Sequence, residues 1–233
     1  MSAVRVRLVT PDLGLLDAAI DDGAALARAL GCVPADSWKV FPDAVRSARD
    51  VLADDPASVR WGPRLIVLVA QPSMLVGWGG FKGRPRDGVV EIRYAVAPGQ
   101  RCRGIARAAV RELVREAFLS ADVIAVVART DAALNPSARV LAKAGFIHEG
   151  KVGDDEIGNV WLFRYDRMRG DSQFRRGSSP GPVSQIAPSG RAAADDRCGR
   201  DQIGLPSTKT STRPGQGASI PAMADASSSD GDS

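Results

Sequence analysis

The sequence has little of the side chains from which many catalytic sites are built. Its 233 residues include one histidine, three cysteines and two tyrosines. With His148 alone, a His-rich metal site lacks material, and no metal is expected. The GxSxG elbow that would accompany a Ser-His-Asp triad is missing. Cys32, Cys102 and Cys198 are widely spaced and form no CxxC pair. Free thiols in a reducing compartment are therefore expected, not a disulfide framework. No apolar run approaches the roughly 18 residues of a membrane span, and the opening MSAVRVRLVTPD has no signal-like apolar stretch. A cytoplasmic protein with no membrane partner is expected. A basic run with interleaved aromatics is also lacking, which argues against nucleic acid. The net charge is only +4. Beyond Gly170 acids and bases balance, so the excess lies before that point. A mild excess of this kind suits a phosphorylated ligand.

What is present is a pattern of alternating strands and helices. Val4–Val9 alternates apolar and basic residues and predicts a half-buried strand. Asp12 is placed to cap a helix over Leu15–Leu30 that Gly31 would end. Phe41–Leu52 predicts a second helix. Leu65–Ala70 and Leu75–Phe81 predict a hairpin, its second arm weakened or bulged at Gly77, Gly79 and Gly80. Val89–Val96 is a strong strand stopped by Pro98-Gly99. A helix from about Gly104 to Leu119, a strand over Val123–Ala128 and a helix over Pro136–Ala144 follow. Phe146–Lys151 and Asn159–Tyr165 predict two last strands. The fold class expected is α/β: a mixed sheet flanked by helices, antiparallel where hairpins form near residues 72 and 154. Residues 1–169 read as one domain. Residues 170–233, rich in Ser, Gly, Pro, Ala and Asp with Phe174 their one aromatic, read as a disordered low-complexity tail.

The most informative stretch is VVEIRYAVAPGQRCRGIARAAVRELVR, from Val89 to Arg115. A strand, a Pro-Gly stop and a short basic loop lead into a helix whose first turn holds Gly104 and Ala106. A helix start offers unpaired N–H groups and partial positive charge, and small residues there admit an anion. Arg101 and Arg103 add fixed charge. The arrangement is a phosphate or pyrophosphate cradle. It contains neither a P-loop, GxxxxGK followed by Ser or Thr, nor a dinucleotide GxGxxG.

Arg101-Cys102-Arg103-Gly104-Ile105-Ala106 resembles the R/Q-x-x-G-x-G/A signature of the GCN5-related N-acetyltransferase (GNAT) superfamily. The later run NPSARVLAKAGF, Asn135 to Phe146, resembles that family's Asn-led helix closing in K-x-G-F. LVGWGGF and VVEIRYAV are similar to its RimJ/RimL-like branch, the ribosomal-protein-alanine acetyltransferases. The likeness covers about residues 4–167. It implies a GNAT-like domain, acetyl-CoA as co-substrate, and an acyltransferase acting on an amine. It also implies cofactor contacts from Arg101, Cys102, Arg103, Gly104, Ile105, Ala106 and Asn135, and a thioester carbonyl polarised by backbone N–H groups near Val96. Two departures stand out. Asn135 and Ser137 are two residues apart where that branch has three. Ala142 lies nearest the position where many relatives carry a tyrosine acid.

Direct transfer needs a neutral amine, a polarised carbonyl and a base. Glu91, on the strand that would line the site, is the candidate base, or alternatively one half of a charge pair with Arg93. Strand alternation places Glu91, Arg93, Ala95 and Ala97 on one face and Val90, Ile92, Tyr94 and Val96 on the other. Tyr94, Trp38, Phe41 and Trp61 read first as core, and His148 as a surface or packing residue. Three functions stay open. One is N-acetyl transfer to a primary amine of a small molecule or a protein N-terminus. Another is a CoA-binding sensor or scaffold without catalysis. The third is an unrelated phosphate-ligand binder. The sequence allows a homodimer without indicating one.

Overall fold

The computed structural model of the chain describes residues 4–39, 42–154 and 158–168. The tail expected at 170–233 lies outside the described residues, as do Phe41 and Cys198.

The first strand, β1, is Val6–Val9. The single helix expected over Leu15–Leu30 is in fact two, α1 (Leu13–Asp21) and α2 (Gly23–Leu30). Asp12 caps α1 by accepting from the Leu15 N–H at 2.8 Å. Asp22 breaks the run because its carboxylate accepts from the N–H groups of Ala24 and Ala25, at 2.9 and 3.0 Å. A short acid that can cap competes with helix continuation, and apolar periodicity alone reads through it. The Ala25 N–H foremost holds the Asp22 carboxyl below its ordinary range. Gly31, at φ 61°, closes α2 in the left-handed region that glycine adopts freely.

A two-residue strand, β2 (Val33–Pro34), precedes α3 (Pro42–Asp54) and a 3-10 turn at Pro56–Trp61. The hairpin follows as β3 (Pro63–Leu68) and β4 (Met74–Phe81), then β5 (Val89–Val96). After a short turn at Pro98–Gln100 come α4 (Ile105–Ala117), β6 (Ala125–Asp131) and α5 (Pro136–Ala144). Strands β7 (Ile147–Asp154) and β8 (Gly158–Asp166) end the described fold. One mixed eight-stranded sheet results, in the order β1-β3-β4-β5-β6-β8-β7, with β2 parallel to the start of β4. The α/β architecture is as expected. β2 is an addition: two residues carry too little periodicity to announce a strand.

The irregularity in β4 sits at Val76, which faces no partner where Leu75 and Gly77 oppose Val67 and Ile66. Gly77 and Gly79 are not the bulge. They are places of close approach, because a Cβ at Gly77 would lie 2.1 Å from the Ala95 carbonyl oxygen and one at Gly79 would lie 2.7 Å from that of Arg93. Small residues thus let β4 press against the functional half of β5.

One part of the core lies between the sheet and α4. The buried residues Ile105, Ala109, Val110, Leu113, Val114 and Ala117 form one stripe at helical spacing. This helix packs on β1 and β5. Its far end is tied down by Arg64 of β3, which donates to Glu116 at 2.9 Å and to the carbonyls of Arg60 and Pro63 at 2.8 and 2.9 Å. The Arg64 and Glu116 side chains are 6% and 27% exposed. Removing one partner of a nearly dry pair leaves the other charge uncompensated. Glu116→Leu is therefore expected to lower unfolding free energy by about 3 kcal/mol in urea titrations, near the low end for buried pairs because Glu116 keeps some water. No change in the urea midpoint would show that Arg64 is held by its backbone carbonyls alone.

Candidate functional site

The site begins where two central strands separate. β5 and β6 pair in parallel only through Val89↔Ala125, Val90↔Val126 and Glu91↔Val127. Beyond Glu91, β5 continues along β4, with Ile92 opposite Phe81 and Val96 opposite Gly77. β6 meanwhile continues along β8. The sheet is split into a V whose apex is Glu91. Lys82 donates its backbone N–H to Glu91, and Ala97 donates to Val76, so odd-numbered residues of β5 turn their peptides toward β4. Val96 therefore turns its peptide N–H into the gap. Its carbonyl oxygen accepts from Arg101 Nε at 3.2 Å.

A cleft of about 370 Å³ opens at the mouth of this V. The cradle residues Val96, Arg101, Cys102, Gly104, Ile105 and Ala106 line one side. Gly104 takes φ 79° and precedes α4, and no side chain caps that helix. The first-turn N–H groups of α4 thus face the cleft with the positive end of the helix dipole. Arg101 Nη2 is buried and has no hydrogen-bond partner. A buried guanidinium N–H left unpaired is costly, and an anion in the cleft would satisfy it. Arg103 does not line the cleft; it donates to Gln100 Oε1 at 2.6 Å. The sequence reading missed Gln100 and Arg107 on this side. It also missed the opposite wall, made by Pro136, Arg139, Val140 and Lys143 of α5. Arg139 and Lys143 lie four residues apart on one helix face, a spacing that could have signalled them.

A family model described as "Acetyltransferase (GNAT) domain" matches residues 13–147, more than half of the chain. The chain belongs to the GNAT acetyltransferase family. One similar protein is the uncharacterized N-acetyltransferase YjdG of Bacillus subtilis (strain 168), 30% identical over 146 residues, which are 61% of this chain and 86% of that one. Among solved structures, Mycobacterium smegmatis RimJ in complex with CoA-disulfide matches at 23% identity and TM-score 0.51, over 72% of this chain and 87% of that one. The aminoglycoside acetyltransferase AAC(6')-Ib in complex with coenzyme A and kanamycin matches at 19% identity and TM-score 0.52, over 74% and 99%. These two likenesses concern the fold.

Within this GNAT fold the remaining candidates take definite places. Glu91 is 14% exposed, and both of its oxygens are taken: Lys82 Nζ lies at 3.1 Å from one and Arg129 Nη1 at 2.7 Å from the other. The Glu91–Arg93 pair weighed from sequence is not among its contacts. Tyr94 is buried and its hydroxyl donates to the Ser137 carbonyl at 3.4 Å, tying β5 to α5. Trp38 and Trp61 are buried in the core. His148 is exposed and lies over Trp161 and Phe163, with ring centroids 4.7 and 5.1 Å away. Of the two described cysteines, Cys32 is a free thiol, pushed up by burial. Cys102 is disulfide-bonded, which corrects the expectation of free thiols.

Asn135 caps α5: its Oδ1 accepts from the Ala138 N–H at 2.8 Å, and its Nδ2 donates to Thr130 Oγ1 at 2.8 Å. It does not line the cleft. Ser137, two residues further on, is fully buried with its Oγ unpartnered. Asn135→Ala is expected to cost about 1 kcal/mol of stability by chemical denaturation, with Asn135→Asp losing less, as for a helix cap. Undiminished stability with impaired ligand affinity would instead assign Asn135 to the ligand.

Proposed function

We propose that this protein transfers an acetyl group from acetyl-CoA to a primary amine, of a small molecule or a protein N-terminus, by direct attack on the thioester. The observation that carries this reading is the unpaired Arg101 Nη2 beside the uncapped start of α4, set where β5 and β6 part. The donor set suits a diphosphate: a buried guanidinium, free helix N–H groups and a glycine at the point of closest approach. The gap between the strands suits a narrow arm extending from it.

Acetyl-CoA supplies an acyl group activated as a thioester. Arg101 and the N–H groups of Gly104, Ile105 and Ala106 hold its diphosphate, with Cys102 and Arg103 completing the loop. Arg139 and Lys143 add positive charge across the cleft. The Val96 N–H donates to the thioester carbonyl oxygen and stabilises negative charge that grows during attack. Glu91 receives the amine proton, directly or through one water, as the nitrogen bonds to carbon and the carbon–sulfur bond breaks. The thiolate leaves without a tyrosine acid from α5, since residue 142 is an alanine. To act as a base, Glu91 must loosen one of its two cations. Residues 1–169 carry the activity.

Calorimetric titration of the full chain with acetyl-CoA is expected to show binding. Arg101→Ala combined with Gly104→Val should weaken it at least about tenfold, the scale of one lost charge-assisted hydrogen bond. Thiol release with added amines then reads turnover, and Glu91→Gln should lower kcat about a hundredfold while leaving acetyl-CoA affinity intact. Absent binding would overturn the reading. The double ion pairing of Glu91 favours one second reading, a CoA-binding sensor or scaffold without catalysis. Binding without turnover of any amine would select it.

A further inference from the structure

Around Glu91 the split sheet carries more basic side chains than that one carboxylate can pair. Three basic side chains, Lys82, Arg93 and Arg129, surround the single carboxylate of Glu91. Arg93 is two residues beyond Glu91 on β5, so it stands on the same face, about 7 Å further into the V. Its guanidinium lies 5.9 Å from the centroid of the Trp78 ring and has neither a hydrogen bond nor an ion pair with any described residue. Burial pulls Arg93 below its ordinary range, and the Glu91 charge only partly offsets this. Two further donors nearby are orphaned. Arg129 spends Nη1 on Glu91 but leaves Nε buried and unpartnered, and the indole Nε1 of the buried Trp78 is likewise unpartnered. Trp78 lies opposite Ala95, so the strand register keeps it on the Arg93 face.

A site made for a polycationic acceptor would gather carboxylates here. This one gathers unsatisfied donors and positive charge. A partly dehydrated guanidinium whose fork makes no hydrogen bond is better satisfied when a partner arrives, and a carboxylate offers two acceptor oxygens that match that fork. The same field serves the chemistry. Positive charge around a bound amine disfavours its ammonium form, so the nucleophile is more readily neutral.

We propose that the acceptor of the acetyl group is a primary amine that also bears a carboxylate, and that Arg93 binds this carboxylate from the Glu91 face of the V. This rests on the acetyl-transfer reading above and narrows it to one substrate class. Arg93 is then a specificity-determining residue.

The experiment compares matched amines by thiol release from acetyl-CoA in the full-length protein. Glutamate, γ-aminobutyrate and Gly-Gly-Glu are each paired with the amide of the same compound, and spermidine is the cationic comparator. Acetyl-CoA affinity is measured separately by calorimetry for every variant. The carboxylates are expected to exceed their amides at least about tenfold in kcat/KM, and to exceed spermidine by more. Arg93→Gln should erase that ratio through KM while acetyl-CoA affinity stays within about twofold, and Arg93→Lys should restore part of it. Preserved acetyl-CoA affinity doubles as the check that each variant folds. Equal or better turnover of amides or spermidine by the wild type overturns the proposal and leaves acetyl transfer standing. So does a carboxylate preference that survives Arg93→Gln. Failure of acetyl-CoA to bind, or of every amine to react, overturns both.

Discussion

The separation of β5 from β6 after Glu91 and Val127 is the constraint on which the site depends. Interrupting a ladder in the middle of a sheet leaves backbone donors and acceptors without partners, and buried peptide groups tolerate that poorly. The chain answers the loss on one side only. The Val96 carbonyl is met by Arg101, and Ala97 bonds back to Val76. The Val96 N–H stays directed into the gap. Because β5 must remain straight while β6 leaves, its other edge is gripped closely by β4, where Gly77 and Gly79 remove the side chains that would hold the strands apart. The glycines in β4 and the opening beside β5 are thus two parts of one geometry. Without the close grip, Val96 would not hold a fixed direction for its peptide.

The V also explains where charge is placed. At its mouth, the start of α4 supplies partial positive charge from the backbone, and Arg101 adds a buried guanidinium with one N–H unspent. Deeper in, Glu91 sits at the apex between Lys82 and Arg129. The two regions are linked by five residues of β5, so a ligand filling both would lie along that strand. Far from both, Arg64 and Glu116 clamp the opposite end of α4. A helix whose first-turn N–H groups face a cleft keeps that direction only if it is fixed against rotation. The buried stripe from Ile105 to Ala117 and this clamp together provide that fixity.

Much of this was legible in the sequence, for reasons that differ by element. β5 and α5 were read at their observed bounds because Pro98-Gly99 and Gly145 punctuate them strongly. Arg101, Cys102, Gly104, Ile105 and Ala106 were read together because they are nearly consecutive, and the fold sets them along one cleft, with Arg103 turned to Gln100 instead. Asp22 was missed because its capping hydrogen bonds compete with a periodicity that does not record them. Arg139 and Lys143 were overlooked because their importance comes from α5 lying across the cleft from α4, which no local pattern encodes. Asn135 was ambiguous in a different way. Its side chain can cap or bind, and in the fold it makes three internal hydrogen bonds, to Ala138, Thr130 and Asp131, that suit a cap.

Glu91 and Arg93 show most plainly what tertiary structure adds. Two residues apart on one strand, they read as a pair that neutralise each other. In the fold each has a different environment. Glu91 turns to Lys82 of the β4–β5 connection and to Arg129 of β6, neither near it in sequence terms that could be counted. Arg93 is left against Trp78 with its hydrogen-bonding fork unspent. A strand at the edge of a split sheet has neighbours on only one side, so its side chains must find partners elsewhere or wait for them. Glu91, at the apex, still has β6 beside it and is satisfied. Arg93, two residues further, has lost β6 and is not. The same departure of β6 that opens the gap beside β5 therefore also leaves Arg93 with only the charge of Glu91, outside ion-pair distance, to offset its own.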